Sequence, residues 1–329
     1  MDKNMNTWVK EVQPMPIMTY PGLELIDKGV IDIVTDGKTQ YECIKALADK
    51  YPSIAAVTIM DLSVEAEAFG CEIKFSNDEV PDVSSNLINN IEEAKALEIP
   101  KVGSHRTKVY LEATKLMSKN ILDRPSFAGE IGPFSLTARL LGVTDALMQI
   151  MLEPELVHIL LEKTTKFLIE YAKAFKEHGA HGIIIAEPVA GLLSPDLCDE
   201  FSSKYVKKIV DNVQDDNFIV ILHNCGNTEN LVSSMLSTGS KLYHFGNVVD
   251  LAAILTQVPS NIIVSGNIDP ATIFRNGTSD DVRTETMRLL EKTSNYNNFI
   301  ISSGCDIPPE TPMENIDAFF EIVRKYNSR

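Results

Sequence analysis

From about residue 127 onward the chain alternates short β-rich apolar runs with longer helical patterns, and nothing else in the sequence constrains the fold as much. The runs are Phe127 to Ile131, Gly182 to Ala186, Phe218 to His223, Lys241 to Phe245, Asn261 to Ser265 and Asn298 to Ser302. Most are almost continuously apolar, as strands covered on both faces must be, and such strands belong to parallel sheets flanked by helices. The intervening helices mark their own ends. Ser194-Pro195 opens one that runs to about Asn212, with Ser as N-cap and Pro in the first turn. Another runs from near Asn227 to Gly239, and the longest, from about Glu153 to Glu177, closes on His178-Gly179. Upstream, Ala55 to Met60 reads as a further strand before Asp61, and Lys38 to Lys50 as a helix through Tyr41, Ile44 and Leu47. Residues 81–124 carry helical patterns at Ile91 to Glu98 and Thr107 to Lys119 and no evident strand. At least seven strands alternate with helices and no Pro/Ser/Gly-rich linker interrupts them. The expectation is an α/β chain folded as a single (β/α)8 TIM barrel domain over residues 1–329, with an N-terminal extension.

Charge narrows the partners. With 30 basic against 46 acidic residues the net charge is -16, which repels phosphate backbones and anionic lipid alike, so neither nucleic acid nor a membrane is an expected partner. Five cysteines without regular spacing do not make a disulfide framework and point to a reducing compartment. The opening MDKNMNTWVKEVQPMP lacks a basic segment followed by an apolar run, and no stretch approaches the roughly 20 apolar residues a membrane helix needs. A cytoplasmic location is expected.

The chemistry concentrates at strand ends. In Phe218-Ile-Val-Ile-Leu-His-Asn-Cys-Gly226 an apolar strand ends in His223 and Cys225, two residues apart and therefore on one face. The run Asn298 to Ser302 leads into Ser303-Gly304-Cys305, so a second thiol stands at an equivalent strand end. In a barrel both ends open on the C-terminal mouth, where active sites sit. One imidazole and two thiols suit zinc, and three protein ligands with an open position is the catalytic pattern. The alternatives are buried structural residues, since cysteine is often buried and a lone histidine is more often hydrogen-bonded in a core, or a Cys225/His223 nucleophilic dyad that would leave Cys305 idle. Glu187 follows the Gly182 to Ala186 strand directly and is either a surface loop acid, an oxygen ligand to the metal, or an acceptor for a thiol proton. Asn247 and Asn267 each follow a Gly at a strand end, with Asp269 just beyond, and read as pocket lining or as turn chemistry. Asp61 has similar standing, while Cys43, Cys71 and Cys198 look structural.

These residues carry a resemblance. His223-Asn-Cys225-Gly, then Ser-Gly-Cys305 with Pro308, Pro309, Thr311, Pro312 and Asn315, resembles the methylcobamide:coenzyme M methyltransferases, a branch of the uroporphyrinogen decarboxylase superfamily. The likeness extends to Asp61-Leu-Ser-Val-Glu65-Ala-Glu67-Ala-Phe-Gly70 and to Ala186-Glu187-Pro188. It implies a (β/α)8 barrel in which His223, Cys225 and Cys305 bind zinc; from their strand-end positions Glu187 is expected in a supporting catalytic role and Asp61 as a further catalytic candidate. It also implies transfer of a methyl group from a methylcobamide, carried by a partner corrinoid protein, to a small-molecule thiol such as coenzyme M. The same superfamily offers metal-free decarboxylation of a porphyrinogen and corrinoid-dependent demethylation with another acceptor. Against the decarboxylase stands the absence of arginine before Arg106, since a substrate bearing many carboxylates calls for arginines. A corrinoid-binding or metal-storing module without turnover would enclose its zinc with four protein ligands.

Overall fold

The computed structural model describes residues 11–329. The first ten residues, which carry most of the segment read as lacking a secretory signal, lie outside the described residues. Seven parallel strands form one sheet: β1 (Ala56–Val57), β2 (Ser126–Ile131), β3 (Gly182–Ala186), β4 (Ile219–Asn224), β5 (Leu242–Phe245), β6 (Ile263–Ile268) and β7 (Phe299–Ser303). Each is a spatial neighbour of the next in sequence. Sequential parallel strands require a crossover between every pair, and helices supply most of them, the longest being Pro154–Glu177 between β2 and β3. No helix among the described residues is long and apolar enough to cross a membrane.

Two layers of core follow from the period-2 alternation of side chains along the strands. The larger packs the outer face of the sheet against the helices, and includes Ala128, Ile183, Ile185, Val220, Leu222 and Val264. The smaller lies on the inner face and joins Phe127, Ile184, Ala186, Ile221, Leu242, Ile263 and Ile300 with Met15 and Ile17. The next inward positions, His223 on β4, His244 on β5, Ser265 on β6 and Ser302 on β7, are all buried, so a polar layer rests on an apolar one.

The described part of the expected N-terminal extension bonds to the sheet without forming one of its seven strands. Met15 N donates to Ile301 O at 2.9 Å and Ile301 N to Gln13 O at 3.1 Å, while Ile54 N donates to Pro14 O at 3.0 Å. Residues 13–17 therefore bond to β7 on one side and to the approach to β1 on the other. The strand expected at 261–265 runs instead over Ile263–Ile268, because its ladder with β7 extends through Asn267↔Ser302 and Ile268↔Ser303. The helix expected from Ser194 to Asn212 is interrupted by a wider turn at Asp199–Ser203, and that from Asn227 to Gly239 shortens to Val232–Leu236. Within residues 81–124, Asp82–Val83 pairs antiparallel with Ile73–Lys74, a strand too short to be read from periodicity.

Candidate metal centre

Register brings the strand ends together. His223 on β4 lies level with Ala186 on β3 and with His244 on β5. Beyond them the chain leaves β4 at Cys225, and β7 at Ser303, with Cys305 two residues later. One donor atom from each of His223, Cys225 and Cys305 lies within 4.8 Å of the other two. His223 is buried, the two cysteines are half-buried, and the Nε2 atom of His223 has no hydrogen-bond partner among the described residues. One imidazole with an orphaned buried nitrogen and two sulfurs this close make the donor set of a borderline-soft divalent ion.

Glycines let the loops nest this closely. A Cβ on Gly246 would stand 2.5 Å from Cys225 Cα and 2.7 Å from its carbonyl oxygen, and one on Gly304 would stand 2.7 Å from Asn247 N. Asn224 links the same loops, donating to Glu187 O at 2.6 Å and accepting from Gly226 N at 2.8 Å.

The electrostatics suit a thiolate. The Cys305 thiol beside it, and then the His223 imidazole, hold Cys225 far below the ordinary thiol range despite burial, while Cys225 and burial push Cys305 up. Behind them the rings of His223 and His244 meet edge to face with centroids 4.7 Å apart, and their Nδ1 atoms are 2.8 Å apart. His244 Nε2 lies 2.9 Å from Ser302 Oγ, whose hydroxyl donates to Met15 O at 2.7 Å. Burial, and then the neighbouring His223, keep the His244 ring well below the usual histidine range.

The remaining expected residues sit nearby with other contacts. Glu187 does not join the metal-ligating group; its carboxylate accepts from Phe134 N at 3.2 Å, and from Ser135 N and Ser135 Oγ at 2.6 Å each. It closes the N-terminus of the Pro133–Leu141 helix, whose own preceding residue, Gly132, has no side chain to do so. Burial pushes this carboxyl up to about 7, against the opposing pull of the Ser135 and Phe134 donors. Asp61 is buried under Arg106, Tyr110 and Ser63, and Arg106 also binds Glu67 at 2.7 Å and lies 4.9 Å from the Phe75 ring centroid. Asn267 Nδ2 donates to Gly246 O at 2.8 Å and Val249 O at 2.9 Å, so it braces the loop that carries Gly246. Asn247 is exposed and donates to Asp269 at 2.9 Å, and Asp269 caps the turn that follows through Ala271 N and Thr272 N.

Sequence reasoning passed over His244 and Ser302. The signal was available: both stand at inward positions one strand pair from a proposed ligand, and a buried histidine needs partners for two nitrogens. It also passed over Asp306, next to Cys305, whose carboxylate accepts from Met60 N at 3.2 Å and is pushed up to about 7 by burial.

Residues 22–326 match the family described as uroporphyrinogen decarboxylase (URO-D). A methylcobamide:CoM methyltransferase, MtbA, of Methanosarcina acetivorans is 33% identical over 271 residues, covering 81% of this chain and 78% of that protein. A uroporphyrinogen decarboxylase of Hydrogenovibrio crunogenus is 27% identical over 292 residues, covering 85% of this chain and 81% of that protein. Among solved structures, a methyltransferase from Methanosarcina mazei superposes with a TM-score of 0.87 over 96% of this chain and 94% of its own, at 24% identity.

Proposed function

The chain belongs to the uroporphyrinogen decarboxylase family, and from that premise we propose that it is a zinc-dependent methyltransferase that moves a methyl group from a methylated corrinoid, carried by a partner protein, to a small-molecule thiol such as coenzyme M. The observation that carries this reading is the convergence of His223, Cys225 and Cys305, with His223 Nε2 buried and unpartnered. A decarboxylase without metal would have no use for that donor set, and Arg106, the first arginine of the chain, is already engaged by Asp61, Ser63 and Glu67. The named activity of the 33% identical relative points the same way.

The donor chemistry fits zinc, which takes nitrogen and sulfur ligands and in catalytic sites keeps a position open beyond three protein ligands. Bound there, the ion would supply the positive charge that turns an incoming thiol into a thiolate near neutral pH. The chain's own part is to hold and orient. Two cysteines that bind as thiolates would keep the site's net charge low, and a substrate thiolate bound at such a site stays nucleophilic. His223 is fixed by its neighbours, and Glu187 and Asp61 act on the walls of the mouth: the first positions the Pro133–Leu141 helix and the second clamps Arg106. Asn247, Asn267 and Asp269 shape the rim on which a thiol substrate would lie. In the transfer the methyl–cobalt bond breaks, a methyl–sulfur bond forms, the thiol proton leaves to solvent, and the electron pair stays with the corrinoid. We further read residues 13–17 as the eighth strand of a closed (β/α)8 barrel that makes the chain one domain, supported by their hydrogen bonds to both edges of the sheet.

Metal analysis of the full-length protein, followed by an assay of methyl transfer from methylcobalamin to coenzyme M, tests the proposal. Cys225→Ala and Cys305→Ala should each lose zinc and thiol methylation while keeping the parent's circular dichroism. Either variant with full zinc and full activity would refute the ligand assignment.

A further inference from the structure

We infer that His244 and Ser302 are positioning residues that fix the tautomer of His223, placing its ring proton on Nδ1 and leaving Nε2 bare toward Cys225 and Cys305. One chain of hydrogen bonds carries this assignment, and it starts from an acceptor whose role cannot change. Met15 O is a backbone carbonyl and accepts only, so the Ser302 hydroxyl, 2.7 Å away, spends its proton there. Ser302 Oγ can then only accept from His244 Nε2 at 2.9 Å, so that nitrogen carries the hydrogen. A neutral imidazole has one N–H, which leaves His244 Nδ1 as a lone pair. His223 Nδ1, 2.8 Å from it, must be the donor. The second acceptor near that nitrogen, His244 O at 3.3 Å, is again a carbonyl and calls for the same N–H. The last nitrogen, His223 Nε2, is left with a lone pair and without a partner, and it is the nitrogen available to the metal-ligating group.

The alternative assignments each cost a buried contact. With the His223 proton on Nε2 alone, two lone pairs would face each other at 2.8 Å, and His244 O, 3.3 Å from His223 Nδ1, would lose its donor. Reversing the chain would turn the Ser302 hydroxyl to His244 Nε2 and leave Ser302 Oγ and Met15 O facing each other at 2.7 Å with no proton between them. The far end is held as well: Met15 N donates to Ile301 O at 2.9 Å, so the carbonyl cannot turn away while residues 13–17 stay bonded to β7. Outer partners of this kind set the orientation and basicity of a ligating histidine, and losing one typically weakens metal affinity about 10- to 100-fold.

This inference deepens the proposed zinc site, and its test separates the two. The protein has six histidines, few enough to assign by substitution after labelling the imidazoles with nitrogen-15. In the metal-free, full-length protein, two-bond proton–nitrogen correlation should show His244 as the Nε2–H tautomer and His223 as the Nδ1–H tautomer. Ser302→Ala should mix both tautomers and weaken zinc retention against a competing chelator about tenfold or more, whereas Ser302→Thr, which keeps the hydroxyl, should restore both. A parent protein whose His223 carries its proton on Nε2 overturns the inference whatever its metal content, as does a Ser302→Ala variant with unchanged tautomers. A parent that shows the stated tautomers but holds no zinc upholds the relay and overturns the zinc reading instead.

Discussion

Replacing Glu187 by Ala separates a wall residue from a metal ligand. Its carboxylate receives three hydrogen bonds at the start of the Pro133–Leu141 helix, from Phe134 N, Ser135 N and Ser135 Oγ. The hydroxyl can rotate to another acceptor, but the two amides belong to the first turn of a helix and have no internal partner. Orphaning a buried donor costs about 1–3 kcal/mol, so two of them, with the lost charge-assisted bond to the hydroxyl, come to about 3–5 kcal/mol. For a chain of this size each kcal/mol moves the melting midpoint by about 2 °C, which gives a fall of about 6–10 °C. Differential scanning calorimetry reads the midpoint, and metal analysis of the same preparation reads zinc. The expected result is a lowered midpoint with zinc retained in the folded fraction. A midpoint equal to the parent's with zinc gone would refute the capping argument and make Glu187 a ligand.

Gly246→Ala should act at the site rather than on the fold: its Cβ would press on the Cys225 backbone at 2.5 Å and 2.7 Å. Because both contacts are backbone, the Cys225 loop must shift, and zinc retention against a chelator should drop while the protein stays folded at a cost of about 1–3 kcal/mol; unchanged retention would show that the loop yields without moving the sulfur. Glu130→Gln should reveal a pH-dependent gain. Burial, and then the neighbouring Glu65, push the Glu130 carboxyl well above the usual range, and neither of its oxygens has a partner among the described residues. A raised carboxyl contributes stability that is complete below the unfolded value of about 4.3 and is lost as pH climbs towards the folded one. The amide cannot ionise, so the urea midpoint of the variant should rise relative to the parent between pH 5 and pH 9, and a constant difference across that range would sink the account.

The site's donors were legible because each stands where an apolar run stops. Period 2 places His223 and Cys225 on one face, and the same reading of the last strand places Cys305 at its exit. What periodicity cannot give is the neighbour across the ladder. His244 matters because it lies level with His223, and that register exists only once β4 and β5 are paired. Glu187 was legible as a strand-end acid but not as a cap, because its helix begins 50 or so residues earlier in the chain; the clue was Gly132 at a helix start, where a side-chain acceptor is usually found.

The segment 13–17 was the hardest to read, and its sequence explains both why it looked like an extension and how it bonds alongside β7. Pro14 and Pro16 bracket Met15, and a Pro-Met-Pro stretch offers a ladder only every second N–H. In an extended chain the N–H and C=O of one residue point to the same side, and alternate residues to opposite sides. Met15 uses its N–H on Ile301 and its C=O on Ser302, both on the β7 side, so Pro14 and Pro16 turn their missing donors towards β1. On that side the segment can only accept, as Pro14 O does from Ile54 N. The prolines therefore forbid a slip by one residue, which would set a proline against β7, leave Ile301 O without its donor, and swing the Met15 carbonyl away from Ser302. The same two residues that hide this pairing from a propensity reading fix the acceptor on which the His244–His223 hydrogen bonds end.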